Sequence, residues 1–574
     1  MPVDRRFQLG IAASLVVTLA SVASCNGPRR STQDASPEAA PDEGPAPVDA
    51  EGPADVRSAE ALPYLFLVES TVPAPSEWGV ACDTSIEVSL NREVNAASIT
   101  PATFTVTTKD GAVVGAYTVS GAKVVFQPKD PLPLLEPVTV TLTSGILDAK
   151  GMPLWGYYSW TFGCDRQWSA PLWVIDNVSP LALSVSVPQV SLSDAGSAIV
   201  VWFVDPIVTA SGSVAFSRCE MSTGSCTAPE TLGDDSEGFD LAGNGAGQVI
   251  VVGRGTSSLW SREFDPATQS WRPASTVAST DLLGKNYLDV SMDGLGNATV
   301  IWLEHGLEHD EIKVRRYVWQ ASAWEPTTVL DTPPMKAIQV RVAENSSGRA
   351  VALWGLAHGT KGSLTASHNE GNGWAEPTRV DGECPETKFS VGIDQAGNAI
   401  VVWDDDGDTS PGLWSSRLAA GNPVWTPPFK MDTMCCCDYP QIAMNAEGKA
   451  LVAWTMAWPM MALWTRHYDP GTDAWTTPTY YRAPKTLGEI PVLTLDPDGN
   501  ATVAWVQDEA FSPSAVHVTR FYDGPSQWGP VVRLGGDKGS PYSFAVDSNA
   551  ARQAILAVQE RAVGFSGLFV SFLR

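Results

Sequence analysis

Four aspartates crowd one short stretch. Asp404, Asp405, Asp406 and Asp408 surround Gly407 at the end of IDQAGNAIVVWDDDGD, residues 393–408. Carboxylates at this density can bind a hard cation, pair as acid and base, or simply solvate a loop. A calcium loop places its ligands at alternate positions, and Val402 sits where the first would fall. A second stretch, His305-Gly306-Leu307-Glu308-His309, spaces two histidines and a glutamate as zinc sites do. Zinc at that spacing needs a helix to bring both rings to one face, and a glycine inside the string argues for a loop. The triplet Cys435-Cys436-Cys437 has no companion histidine or spaced cysteine pair, so disulfides fit better than metal. The Gly243-x-Gly245-x-Gly247 run resembles a phosphate loop only as a string, because no helix follows it.

The elements that carry these residues show through a repeat. A glycine is followed six residues later by tryptophan at Gly196/Trp202, Gly296/Trp302, Gly348/Trp354, Gly397/Trp403, Gly448/Trp454 and Gly499/Trp505. Gly247 keeps the glycine, but Gly253 replaces the tryptophan. The period is about 50 residues. An Asp, Asn or Ser three residues before each glycine can hydrogen-bond back onto the turn, and the glycine supplies positive φ. A second marker, Trp followed by Pro, recurs at Trp168, Trp271, Trp324, Trp374, Trp425, Trp475 and Trp528; Cys226 takes its place before Pro229. Thirteen of the 22 tryptophans therefore belong to the repeat, which makes most of them packing residues.

Each unit holds four strands, such as FSVGID, AIVVW, LWSSRL and WTPPFKM. Four strands at this period read as a β-propeller blade, with proline on the outer edge strand where it blocks further pairing. Residues 541–574 supply three strands without the Trp-Pro strand, and Trp168 to Ile175 supply that strand alone. Together they make one composite blade that closes the ring. The expectation is all-β: eight blades over residues 166–574, or seven if unit 238–280 is degenerate.

Upstream, SIEVSL, TFTVTT, KVVFQP, VTVTLTS and YSWTFG alternate apolar and polar residues. DTSIEVSLNREVNAASITPATFTV and DAKGMPLWGYYSWTFG resemble the SbsA-type bacterial Ig-like domain, which implies a β-sandwich over residues 62–165 that acts as a spacer or adhesive unit. The first 24 residues have a charged start and a short apolar run, and Val22-Ala23-Ser24-Cys25 resembles a bacterial lipobox. That resemblance implies lipidation of Cys25. Asn26 is not the aspartate that retains many lipoproteins at the inner membrane, so the outer membrane is expected, with the lipid anchor as the sole membrane contact. Residues 25–61 are rich in Pro, Ala and acid, with almost nothing to bury, and read as a disordered stalk. At roughly 3 Å per residue it reaches up to ~100 Å.

With 37 Lys plus Arg against 64 Asp plus Glu, the net charge is −27, which argues against nucleic acid and anionic lipid. Cations, basic proteins and neutral glycans remain. Loops joining strands 2–3 would gather Glu304, Glu308, Asp310, Glu311, Asp404, Asp405, Asp406, Asp408, Asp508 and Glu509 on one rim. That rim is a candidate binding surface, with calcium as its possible cofactor. An exported chain favours disulfides among Cys82, Cys164, Cys219, Cys226, Cys384, Cys435, Cys436 and Cys437. Cys82 and Cys164 lie near the two ends of the sandwich, Cys219 and Cys226 face across a hairpin, and Cys384 and a triplet member could bridge blades. The blade turns resemble the sialidase turn only loosely, lacking its Ser-x-Asp spacing. Arg218, Arg262, Arg417, Arg466 and Arg520 recur along strand 3, as scaffold residues do. The expected function is non-enzymatic binding of a protein or polysaccharide. A glycan-cleaving propeller enzyme and a purely structural envelope protein are the alternatives.

Overall fold

The computed structural model describes residues 65–178, 183–206, 212–279, 283–306, 309–358, 361–380, 388–405, 412–432, 437–456, 462–482, 490–507, 514–562 and 565–574. Two compact units emerge: residues 65–77 with 83–162, and Trp78–Cys82 with Gly163–Arg574.

The first unit is a two-sheet sandwich. Val68–Val72, Ile86–Leu90, Lys123–Pro128 and Gly115–Ser120 form one sheet. Tyr158–Asp165, Pro137–Leu142, Phe104–Thr108 and Gly111–Ala112 run in the other. Period-2 alternation puts Ile86, Val88, Phe104, Val106, Phe126, Val138 and Val140 between the sheets, all buried.

The second unit is a ring of eight four-stranded blades. Blade 1 contains Leu183–Leu192, Ser197–Pro206 and Gly212–Glu220. The long strand Glu230–Gly243 serves as its outer strand and then as the inner strand of blade 2, which adds Val249–Gly255 and Ser258–Asp265. Blades 3 to 7 begin at Leu283, Lys336, Phe389, Cys437 and Val492. Blade 8 is composite: Ser540–Ser548, Ala554–Ala562 and Phe565–Leu573 pair with Leu172–Val178 from the other end of the sequence. Eight apolar clusters fill the eight junctions between consecutive blades, including blade 8 against blade 7 and blade 8 against blade 1. The ring is closed by packing, and the seven-blade alternative falls away.

The tryptophans at the Gly+6 position are all nearly inaccessible. Blade 2 shows what replaces one. Gly253 pairs directly with Trp260 on the neighbouring strand, and a Cβ at Gly253 would lie 2.0 Å from the Trp260 ring. The indole has crossed the strand pair, into space left by Gly253 and Gly233. In blade 1 the same pair is Trp202 with Ala215.

The second tryptophan has an equally regular role. Trp271, Trp324, Trp475 and Trp528 pair with Phe264, Tyr317, Tyr468 and Phe521 at the end of strand 3. Their rings sit 5.2–5.4 Å apart. In blade 1 that register holds Cys219 and Cys226, joined as a disulfide. A covalent clasp has taken the place of an aromatic pair. Replacing both cysteines by serine should cost about 2 kcal/mol, by loop entropy alone. The double change Cys219→Phe with Cys226→Trp should recover most of it, as read by urea unfolding without reductant, where the parent keeps its disulfide.

Candidate functional site

On the face carrying the tight turns, each turn is built alike. The side-chain oxygen of Ser193, Asn244, Asp293, Asn345, Asp394, Asn445, Asp496 or Asn549 accepts the backbone N–H four residues later. The glycine between them has φ of +83° to +96°, and Arg552 takes this place in blade 8 at +62°. Asn and Asp alternate from blade 2 onward, and the alternation has a physical use. Each asparagine spends its amide on the next blade: Asn244 donates to Asp293 O, Asn345 to Asp394 O, Asn445 to Pro497 O and Asn549 to Ser193 O, at 2.8–3.0 Å. Backbone bonds cover alternate junctions, Asp194 N to Gly245 O, Gly294 N to Ser346 O and Gln395 N to Ala446 O. Arg552 with Asp498 completes the eighth. A belt of hydrogen bonds thus runs around the mouth of the central channel.

On the inner strands, every second side chain turns toward the next blade. Four positions before the turn residue stand Gln189, Asp240, Asp289, Arg341, Ser390 and Gln441, then Val492 and Ala545. These polar groups also staple blades. Asp240 accepts the Val290 N–H (2.9 Å), Asp289 the Val342 N–H (2.6 Å) and Ser390 the Ile442 N–H (3.3 Å). Burial pushes the Asp289 carboxyl up to about 8; Asp240 beside it adds to the rise and Arg341 opposes it. The folded protein therefore holds this proton more tightly than the unfolded chain, whose aspartates titrate near ~4. The stability it contributes is fully present below that range and is withdrawn as pH rises through about 8. Asp289→Asn keeps an acceptor for Val342 and stays neutral. Its melting temperature should exceed that of the parent at pH 9, with the gap shrinking towards pH 5.

Two positions before the turn residue, the layer is Ser191, Ala242, Ser291, Ala343, Gly392, Ala443 and Thr494, all small, and then Asp547. The small layer leaves a cavity of 320 Å³ at the turn end of the channel, walled by blades 1, 2, 6, 7 and 8. Asp547 Oδ2 accepts the Leu192 N–H and Oδ1 the Ser548 N–H, both at 2.8 Å. Burial, with Asp194 nearby, pushes the Asp547 carboxyl up to about 7.

Several residues of the acidic rim are committed within the blades. Glu304 takes the Trp302 indole N–H (2.8 Å) and the Lys313 ammonium (2.6 Å), which also meets Glu311 at 2.8 Å. Asp310 faces His305 Nδ1 at 2.9 Å and accepts the Ala337 N–H of the next blade at 2.8 Å. Asp404 is buried and accepts the Lys388 N–H at 2.9 Å. Asp405 ends a strand opposite Gly412. His305 ends strand 2 of blade 3 and His309 precedes strand 3, so the histidine string is a strand connection. Cys25, Glu308, Cys384, Asp406, Asp408, Cys435, Cys436, Asp508 and Glu509 lie outside the described residues; Cys437 begins the inner strand of blade 6. Among the described residues, no three His, Cys, Asp or Glu converge as metal ligands. Cys82 and Cys164 are bonded. The strand-3 arginines go to the scaffold: Arg262 and Arg466 each bind a carbonyl of the preceding blade, and Arg218 meets Gln269. Arg417 pairs with Asp473, and Arg520 joins Asp165 and Asp496.

Residues 66–163 match the family of bacterial Ig-like domains. No curated protein matches the chain. Similar solved structures include the Dos1 propeller, 9% identical, TM-score 0.44, covering 69% of this chain and 95% of that one. The β-propeller domain of the Trilobed protease from Pyrococcus furiosus is 11% identical, TM-score 0.35, covering 69% and 94%. Polysaccharide lyase Uly1 is 8% identical, TM-score 0.38, covering 69% and 90%.

Proposed function

We propose that this chain is a non-catalytic, envelope-tethered binding protein that presents its propeller to an extracellular polysaccharide or protein. Cys25 would carry the lipid and residues 25–61 would be the stalk, with the Ig-like domain as spacer before the ring at residues 166–574. Outer-membrane placement follows from Asn26. The two disulfides support an oxidising compartment.

The observation that carries the binding reading is the channel mouth. A belt of bonds holds its rim, and a 320 Å³ cavity lies within it, lined by Ser191, Asp194 and Asp547 among others. A preformed concave site suits recognition, because little order is lost on binding. One observation favours the glycan-cleaving alternative. Asp547, pushed up to about 7, shares the cavity with Asp194, and a raised carboxyl beside a second one is what a glycosidase acid requires. Against it, both Asp547 oxygens are already engaged by backbone N–H groups.

The test is an array of envelope and extracellular polysaccharides, with calcium and with chelator, followed for both retention and products. Retention without cleavage is expected. Cleavage products lost on Asp547→Asn would establish the enzyme instead. Retention abolished by chelator would return the acidic rim to the centre of the account.

A further inference from the structure

Most polar groups around the channel mouth are already occupied. The asparagine amides are committed to the belt, so what remains is mainly acceptor capacity. Asp194 Oδ1 accepts the Ala550 N–H at 2.9 Å, and its Oδ2 lies against Gly245, where a Cβ would approach to 2.2 Å. Both carboxylates line the cavity, and each oxygen can accept more than one hydrogen bond. One hydroxyl stands apart. Ser191 is 6% exposed, lines the cavity, and among the described residues its Oγ has no hydrogen-bond partner. Facing the cavity, that hydroxyl is free to be bonded by water or by a ligand group that replaces it. Pro497 is the apolar residue of the lining outside the inter-blade cores; Leu192 and Leu495 also border the cavity while packing into those cores.

We propose that this cavity binds a neutral, hydroxyl-rich ligand of about one sugar ring, its hydroxyls donating to Asp547 and Asp194, with Ser191 as a further partner. This rests on the binding reading above and names its site and ligand class. The C–H face of the ring would lie on Pro497. A flat aromatic ligand would leave the carboxylates unanswered, and an anion would be repelled. A cationic amine would satisfy the acceptors but has no lone pair to receive the Ser191 O–H, as a sugar oxygen does. The volume stands at the lower end of the roughly 300–1,000 Å³ typical of ligand pockets, which limits the occupant to a terminal residue of a longer chain or a free monosaccharide.

The experiment uses the chain from Gly27 onward, which keeps every described residue. D-glucose, D-galactose, N-acetyl-D-glucosamine and myo-inositol serve as probes, with methylamine and putrescine as cationic controls. Saturation-transfer NMR detects binding and calorimetry quantifies it. At least one polyol is expected to bind and neither amine. Ala550→Trp, at an exposed turn on the cavity rim, should abolish the signal. Ser191→Ala should weaken it about three- to tenfold, the worth of one hydrogen bond. Ala446→Trp, on the opposite rim, guards against a local folding defect at residue 550. Binding of amines alone, no binding by any probe, or binding indifferent to both tryptophans overturns the proposal. If polysaccharides are retained on the array but the rim tryptophans leave that retention intact, this site fails while the wider binding reading stands.

Discussion

Arg520→Ala is expected to cost the second unit about 3–5 kcal/mol, measured by equilibrium denaturation. Arg520 is 5% exposed and bridges two carboxylates that are each 1% exposed, Asp165 at 2.9 Å and Asp496 at 2.8 Å. Tyr522 donates its hydroxyl to the same oxygen of Asp165. Removing the guanidinium leaves two buried carboxylates without the cation that contacts both. The loss should shrink when both are neutralised, in Arg520→Met with Asp165→Asn and Asp496→Asn. Asparagine is acceptable at 496 because Asn345 and Asn445 build the same turn in other blades. A cost below 1 kcal/mol for Arg520→Ala would mean that water reaches the cluster.

Gly253→Trp should be nearly as damaging, roughly 3 kcal/mol or more, because Trp260 already fills the space a side chain there would need. Trp260→Ala alone should cost about 3–5 kcal/mol through the cavity it opens. Combined, the two changes rebuild the Trp202/Ala215 arrangement of blade 1 and should recover most of the loss. A double-mutant cycle reads the coupling directly. Additive losses would show that the indole is not interchangeable across the strand pair.

The same pair shows how far the sequence could be read. Glycines and tryptophans at a fixed period made the blades legible, because a tight turn demands positive φ and a buried strand demands bulk. Cys226 at a tryptophan position was legible for the same reason, and so was the composite blade, from three strands at one end and the missing fourth at the other. The missing tryptophan of blade 2 looked like degeneracy because its replacement sits on another strand. Only the register of Gly253 against Trp260 shows that the volume is conserved.

The candidate site was less legible. The aspartates of the rim were conspicuous, but their partners come from other strands and blades: Lys313, the Ala337 N–H, the Lys388 N–H. Asp240, Asp289 and Asp547 looked unremarkable as single residues. Aligning the units on the turn and counting back by twos would have placed all three on one face of the inner strands, since strand side chains alternate with period 2. The alternation of Asn and Asp at the turns was visible too, but its use in tying each blade to the next needs the carbonyls of the neighbouring turn.

The proposed binding face is the turn end of the ring, within the belt. Hydrogen exchange, followed by mass spectrometry with and without whichever polysaccharide is retained, tests this most directly. Added protection in the turn segments around Gly243–Gly245, Asn445–Ala446 and Asp547–Ala550 is the predicted footprint. Protection confined to the strand 2–3 connections near Asp310 and Asp405 would contradict it and move the binding surface to the acidic rim.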